Sequence, residues 1–175
     1  ELGSDACPLD WRADVVHCNE WHSGLAPAYL HFAPGAKAAS VMTIHNLAFQ
    51  GNFAPEYLPA LGLPSSSFSV DGLEYYGSIS FLKAGIRYAD AITTVSPTYA
   101  REIQSEPLGF GFHGVLAARR EALTGIMNGI DTELWDPSTD ALIPKCYDAG
   151  SLAAKRVNKR ALQRRMALAE DDTIP

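Results

Sequence analysis

Apolar residues in this chain fall into two kinds of pattern. Short continuous runs alternate with longer stretches in which apolar positions recur every three or four residues. Asp14-Val15-Val16-His17-Cys18 reads as a short buried strand, and Ser40–His45 (SVMTIH) as a second, rich in β-branched residues. Asp90–Val95 (DAITTV) and Gly125–Asn128 read as a third and a fourth. Between them, Trp21, Leu25, Ala28 and Phe32 share a helical face that Pro34-Gly35 ends. Ser78–Tyr88 has Ile79, Leu82 and Ile86 in helical register. Ser96 and Pro97 supply an N-cap and a first-turn proline for a helix over 98–105. A short helix over 115–122 and a last one over 148–168 complete the pattern, and residues 1–13 read as the end of a helix and a loop.

Strands that alternate with helices predict an α/β fold, a parallel sheet with helices on both faces. In such sheets ligands bind at the carboxyl ends of the strands. The polar residues placed there are His17 with Asn19-Glu20, His45-Asn46, Ser96, and Asn128-Gly129. Residues 46–77 form a long aromatic, Gly/Pro-rich stretch, with a small helix expected over 56–61. Connections of that length usually carry function.

Charge changes the picture little. The formal net charge is -6, which argues against a nucleic-acid partner. Residues 1–150 hold 8 basic and 17 acidic side chains, whereas residues 151–175 hold 6 and 3. The basic tail suits either a solvated helix face or a phosphate-binding helix. Cys7, Cys18 and Cys146 fit no zinc spacing, and a reducing compartment suits them. The opening ELGSDACPLD lacks the basic start and apolar run of a secretion signal, and it lacks an initiating Met, as a processed chain or a segment of something longer would.

Several residues suit sugar chemistry, each with a plainer alternative. His45 can orient or stabilise charge on a sugar, or simply bond to loop backbone. Glu20 suits sugar hydroxyls or the positive start of a helix, and Trp21 suits a sugar face or the core. Asn128-Gly129 equally fits plain turn chemistry. Lys83 reads as a solvated lysine or a close neighbour of ligand or backbone. His17 and His22 lack a third ligand for a metal. LGFGFHG (108–114) follows no strand and lacks dinucleotide spacing.

Read as whole stretches, the strand ends resemble the glucosyltransferases that make bacterial glycogen and plant starch, glycosyltransferase family 5. WRADVVHCNEWHSGLAPAYL, VMTIHNLAFQGNF, GLEYYGSISFLKAGIRYADAITTVSPTYAREI, GIMNGIDTELWDPSTD and AAKRVNKRALQRRMAL match its motifs in unbroken order over nearly the whole chain. The resemblance implies a GT-B enzyme with two Rossmann-like domains. Its reaction would be retaining transfer of glucose from ADP-glucose to the non-reducing end of an α-1,4-glucan primer, without a metal or cofactor. It implies no nucleic-acid or membrane partner, and a bacterial cytoplasm or a plastid as location. His45 and Asn128 match the residues beside the reacting glucose. Glu20, Trp21 and Asn46 fall on positions lining the sugar site. Glu20 stands where the family usually has Asp, so its carboxylate is displaced by about one methylene.

The family's K-T-G-G-L element and its second, donor-binding domain have no counterpart here. The resemblance therefore implies an internal fragment. Residues 1–150 would be a partial acceptor-side domain, and 151–175 a helix leading to a missing domain. Alone, such a piece is expected to be inactive and poorly soluble, because nothing clamps the leaving diphosphate and a sheet edge is open. A sucrose-synthase-like transferase, a non-catalytic glucan-binding module built on Trp21, Phe49, Phe53, Tyr75 and Tyr76, and a gene remnant are the rival readings.

Overall fold

The computed structural model describes residues 3, 5, 7–35 and 37–174. It divides into two compact units, Glu1–Asn128 and Gly129–Pro175.

In the first unit the chain runs through β1 (Val15–Asn19), α1 (Leu25–Phe32), β2 (Ala39–Ile44), β3 (Asn52–Phe53), β4 (Glu74–Tyr75), β5 (Ser78–Ser80), α2 (Phe81–Tyr88), β6 (Ala91–Thr94), α3 (Pro97–Glu102), α4 (His113–Ala118) and β7 (Leu123–Gly125). β1, β2, β6 and β7 form a parallel sheet in that order. Cys18 pairs with Met42, Met42 with Ile92, and Ile44 with Thr94, so these five side chains alternate onto one face. That face meets Leu82 and Ile86 of α2, Leu116 of α4, and Ile103 and Phe112 in one buried cluster. α2 approaches closely because Gly85 has no Cβ; one there would lie 2.8 Å from Sδ of Met42. A second cluster joins Leu25 and Ala28 of α1 to Ala84 of α2 and to Leu63, Leu73 and Ile79 of the long connection. Residues of opposite parity make a polar rung on the sheet: Nε2 of His17 lies 2.6 Å from Oγ1 of Thr43, which lies 2.6 Å from Oγ1 of Thr93.

Several elements differ from the sequence expectation in extent. Ser78–Ser80 joins the small antiparallel sheet β3-β5-β4, and the helix starts only at Phe81, because the Ser80 side chain caps it by accepting from Lys83 N. Trp21–Ser23 is a 3-10 turn that precedes α1, and Pro55–Leu61 is likewise 3-10. The fourth strand lies at Leu123–Gly125, ahead of the expected Gly125–Asn128, since Gly125 is the residue small enough to pass Ser96 O, 2.2 Å from where its Cβ would be. None of the described residues up to Ala13 is helical; Glu1, Leu2, Ser4 and Ala6 lie outside the described residues.

The second unit holds α5 (Lys155–Arg165), preceded by a 3-10 turn at Leu152–Ala154. Within this unit the 129–150 segment bonds to α5: Asn158 donates to Lys145 O and accepts from Lys145 N, each at 2.8 Å. Several basic side chains of α5 are engaged within this unit, with Lys155 over the Tyr147 ring. Arg160 pairs with Asp172, Arg164 with Glu170, and Lys159 donates to Asp171 O.

Candidate functional site

Parallel pairing brings the carboxyl ends of β1 and β2 side by side, with Asn19 opposite Thr43. The next residue, Glu20, still donates its N–H to Thr43 O at 3.0 Å, so the strand register carries one residue past β1. Its backbone then turns at φ 59, ψ 174, a region almost confined to glycine that costs on the order of 1–3 kcal/mol for other residues. The turn aims the half-buried carboxylate across to β2. There Oε1 accepts the N–H of His45 and, at 2.9 Å, the N–H of Asn46.

The exposed His45 ring is fixed from the same side, with Nε2 3.0 Å from Asn19 Oδ1. An amide oxygen only accepts, so Nε2 carries the hydrogen, and Nδ1 of the neutral ring is left as an acceptor. Asn46 Oδ1 accepts Ala48 N at 3.0 Å and closes an Asx turn, while Leu47 N donates to the Tyr99 hydroxyl at 3.1 Å. The carbonyl of Ile44 takes the Thr94 hydroxyl at 2.7 Å. Among the described residues, no donor reaches the carbonyl oxygen of His45. The strand end therefore presents an unengaged carbonyl and an imidazole held in one orientation.

The other expected residues divide. Trp21 is half-buried and packed: its ring stacks on His22 at 3.9 Å and tilts against Phe53 and Phe81. Gly51 touches the indole, at a backbone φ of +60. Asn128 stands exposed three residues past β7, and among the described residues no hydrogen bond holds it or joins it to His45. Ser96 caps α3 by accepting from Tyr99 N. Among the described residues, no three of His, Cys, Asp and Glu gather as a metal site.

Two residues carry more than the sequence suggests. Asn19, given no role of its own above, holds the His45 ring; its only signal was its place beside Glu20 at a strand end. Lys83, for which a solvated position was an open reading, is buried at 4% exposure. Its ammonium donates to Val70 O at 2.7 Å and to Glu74 O. Burial pulls its pKa below the usual lysine value, against the opposing pull of Glu74. The glycine loop packs: Gly111 faces the Tyr75 hydroxyl, Phe110 O accepts from Gln50 Nε2 at 2.9 Å, and Phe112 stacks on Tyr75. Of the aromatic side chains in the long connection, Phe49, Tyr57 and Tyr76 are exposed.

A Rossmann-like α/β unit with its polar site at the ends of adjacent parallel strands is the class these features define, one that includes the GT-B glycosyltransferases. The family described as the starch synthase catalytic domain matches residues 3–118. The chain is 64% identical over 174 residues to a glycogen synthase of Nitrosomonas europaea, an alignment that covers 99% of this chain and 35% of that protein. It is 54% identical over 167 residues to one of Dechloromonas aromatica, covering 95% of this chain and 34% of that protein. Among solved structures, the catalytic domain of starch synthase IV from Arabidopsis thaliana, bound to ADP and acarbose, superposes with a TM-score of 0.70. It is 31% identical, and the match covers 92% of this chain and 34% of that one. This chain belongs to the starch synthase catalytic domain family. It spans about a third of the length of the curated relatives it matches.

Proposed function

We propose that the polypeptide to which this chain belongs transfers glucose from ADP-glucose to the 4-hydroxyl at the non-reducing end of an α-1,4-glucan, with retention of configuration. The observation that carries this reading is the strand-end His45, its ring held by Asn19 and its carbonyl oxygen unengaged. Charge that develops on the sugar ring during departure of the diphosphate is stabilised by dipoles fixed beforehand. A carbonyl held at the end of β2 supplies such a dipole without reorganising. Asn46, held in its Asx turn, keeps its amide nitrogen available to a sugar hydroxyl. Asn128 and Trp21 complete the sugar site in this reading. Family membership, the glycogen synthase names of the bacterial relatives, and the ADP and acarbose in the Arabidopsis neighbour's description support it.

No lysine or arginine among the described residues hydrogen-bonds at the strand ends around His45, so the 175-residue chain by itself is proposed to be inactive. The test is incorporation of radiolabelled glucose into glycogen by the product of the complete reading frame, with ADP-glucose and UDP-glucose in parallel. Incorporation from ADP-glucose, reduced about 10²-fold or more by His45→Ala, is the expected result. No incorporation from either donor sinks the reading, and a preference for UDP-glucose sinks its choice of donor.

A further inference from the structure

Glu20 sits where a carboxylate would be expected to bind sugar hydroxyls. We propose instead that it is a positioning residue, one that acts on the reaction only by holding His45 and Asn46. The inference rests on the glucosyltransferase reading above.

Three observations converge on it. The first is conformational. Glu20 holds a φ of 59 and a ψ of 174, a backbone state that a glutamate adopts only where its surroundings compel it. Such outliers persist where strain serves a site. The second is where the strain leads. The turn leaves the Glu20 N–H on Thr43 O, so the sheet is undisturbed, and spends the distortion on delivering Oε1 to two successive N–H groups of the neighbouring strand end. A carboxylate that takes two backbone N–H groups on one oxygen fixes the direction of the peptide plane between them, and with it the direction of the His45 carbonyl. The third is convergence on one residue. Asn19, the neighbour in sequence, holds the ring of that same histidine through Nε2. Two consecutive residues of β1 and its turn thus set both functional groups of His45, one through the main chain and one through the side chain.

Oε2 of Glu20 has no hydrogen-bond partner among the described residues, which gives a clean way to separate the two roles. Glu20→Gln keeps an oxygen for the two N–H groups and puts an amide donor where Oε2 was. A positioning role survives that change; a role as hydroxyl acceptor or as a negative charge facing the sugar does not. Glu20→Ala removes both.

The experiment measures kcat and KM for ADP-glucose and for glycogen in the complete protein, together with amide hydrogen exchange at His45 and Asn46. Glu20→Gln is expected to keep kcat and both KM values within about threefold of wild type. Glu20→Ala is expected to lower kcat about 10²-fold with both KM values nearly unchanged, as a misplaced reacting group does. It should also speed exchange at the two amides roughly tenfold, while Glu20→Gln leaves them protected. A fall in Glu20→Gln as deep as in Glu20→Ala overturns the proposal, and so does a glycogen KM that rises in either variant while kcat holds. If the wild-type protein transfers no glucose at all, the functional reading has failed. The exchange data still decide this one, since unchanged exchange at His45 and Asn46 in Glu20→Ala overturns it.

Discussion

Gly51 lies against Trp21 so closely that a Cβ on the glycine would stand 2.4 Å from Cε3 of the indole. The contact is reinforced by backbone: Gly51 O accepts Phe81 N at 3.0 Å, and Gln50 O accepts Leu82 N at 3.2 Å, which ties the connection to the start of α2. Gly51→Ala adds a methyl at a φ of +60 and drives it into the ring. A loss of roughly 2–4 kcal/mol is expected from the combined backbone and packing cost. Denaturant titration followed by tryptophan emission reads it directly, because Trp11 and Trp135 are already exposed and the half-buried ring is Trp21.

Lys83→Met keeps most of the side-chain volume and removes the donors. It leaves the carbonyls of Val70 and Glu74 without their partner, and an unpaired buried carbonyl costs about 1–3 kcal/mol. Amide exchange in residues 70–77 should rise well above that in the parallel sheet. Uniform loosening of the whole unit would contradict the anchoring role.

Asp90 and Ser40 clasp the starts of β6 and β2. Oδ2 of Asp90 accepts from Ser40 N at 2.6 Å and from Ser40 Oγ at 2.9 Å. Burial alone would push the Asp90 carboxyl up, but the bonds from Ser40 outweigh it and hold the pKa below the usual value. With the folded pKa below the unfolded one, its contribution to stability is fully present above about pH 4. It fades as pH falls through the lower folded value. Asp90→Asn should therefore melt slightly below wild type at neutral pH, by the equivalent of at most about 1 kcal/mol because the carboxylate is solvent-exposed, and the two melting curves should converge in strong acid. A gap that stays constant down to that range would refute the assignment.

Gly85 and Met42 form a close pair at the centre of the first core cluster. Gly85→Ala gains up to about 1 kcal/mol of helix propensity but crowds the thioether. Met42→Ala leaves a cavity on its own and costs about 2–5 kcal/mol. The double variant should be more stable than the sum of the two by roughly 1 kcal/mol or more, since the new methyl enters the space that the thioether left. Additivity in the four-way cycle would show that the helix and strand do not meet as described.

The parallel sheet was legible because its strands are short apolar runs followed at once by polar residues. β2 and β6 fall within a residue of where the pattern puts them. The strand pattern itself puts His45 and Asn46 at the end of β2. The contribution of Asn19 was not legible, because a side chain that reaches 26 residues ahead in sequence leaves no local periodicity. Nor was the environment of Lys83. Its burial depends on two main-chain carbonyls, and main-chain groups are invisible in a pattern of side chains. Ser78–Ser80 looked helical because Ile79 sits in register with Leu82 and Ile86. Pairing with β3 and β4 outweighs that local preference, and the serine cap sets the helix start. The bonding of residues 129–150 was hidden for a similar reason, since Lys145 bonds to Asn158 on a helix that comes later in the chain.

The bonds that Lys83 makes end on main-chain oxygens, which every amino acid provides alike. A helix thus grips the 70–77 segment without reading its side chains. Replacement of Tyr76, which is 86% exposed at the tip of that segment, leaves the grip untouched. Natural variation can therefore explore the surface chemistry of this segment while its path over the protein stays fixed.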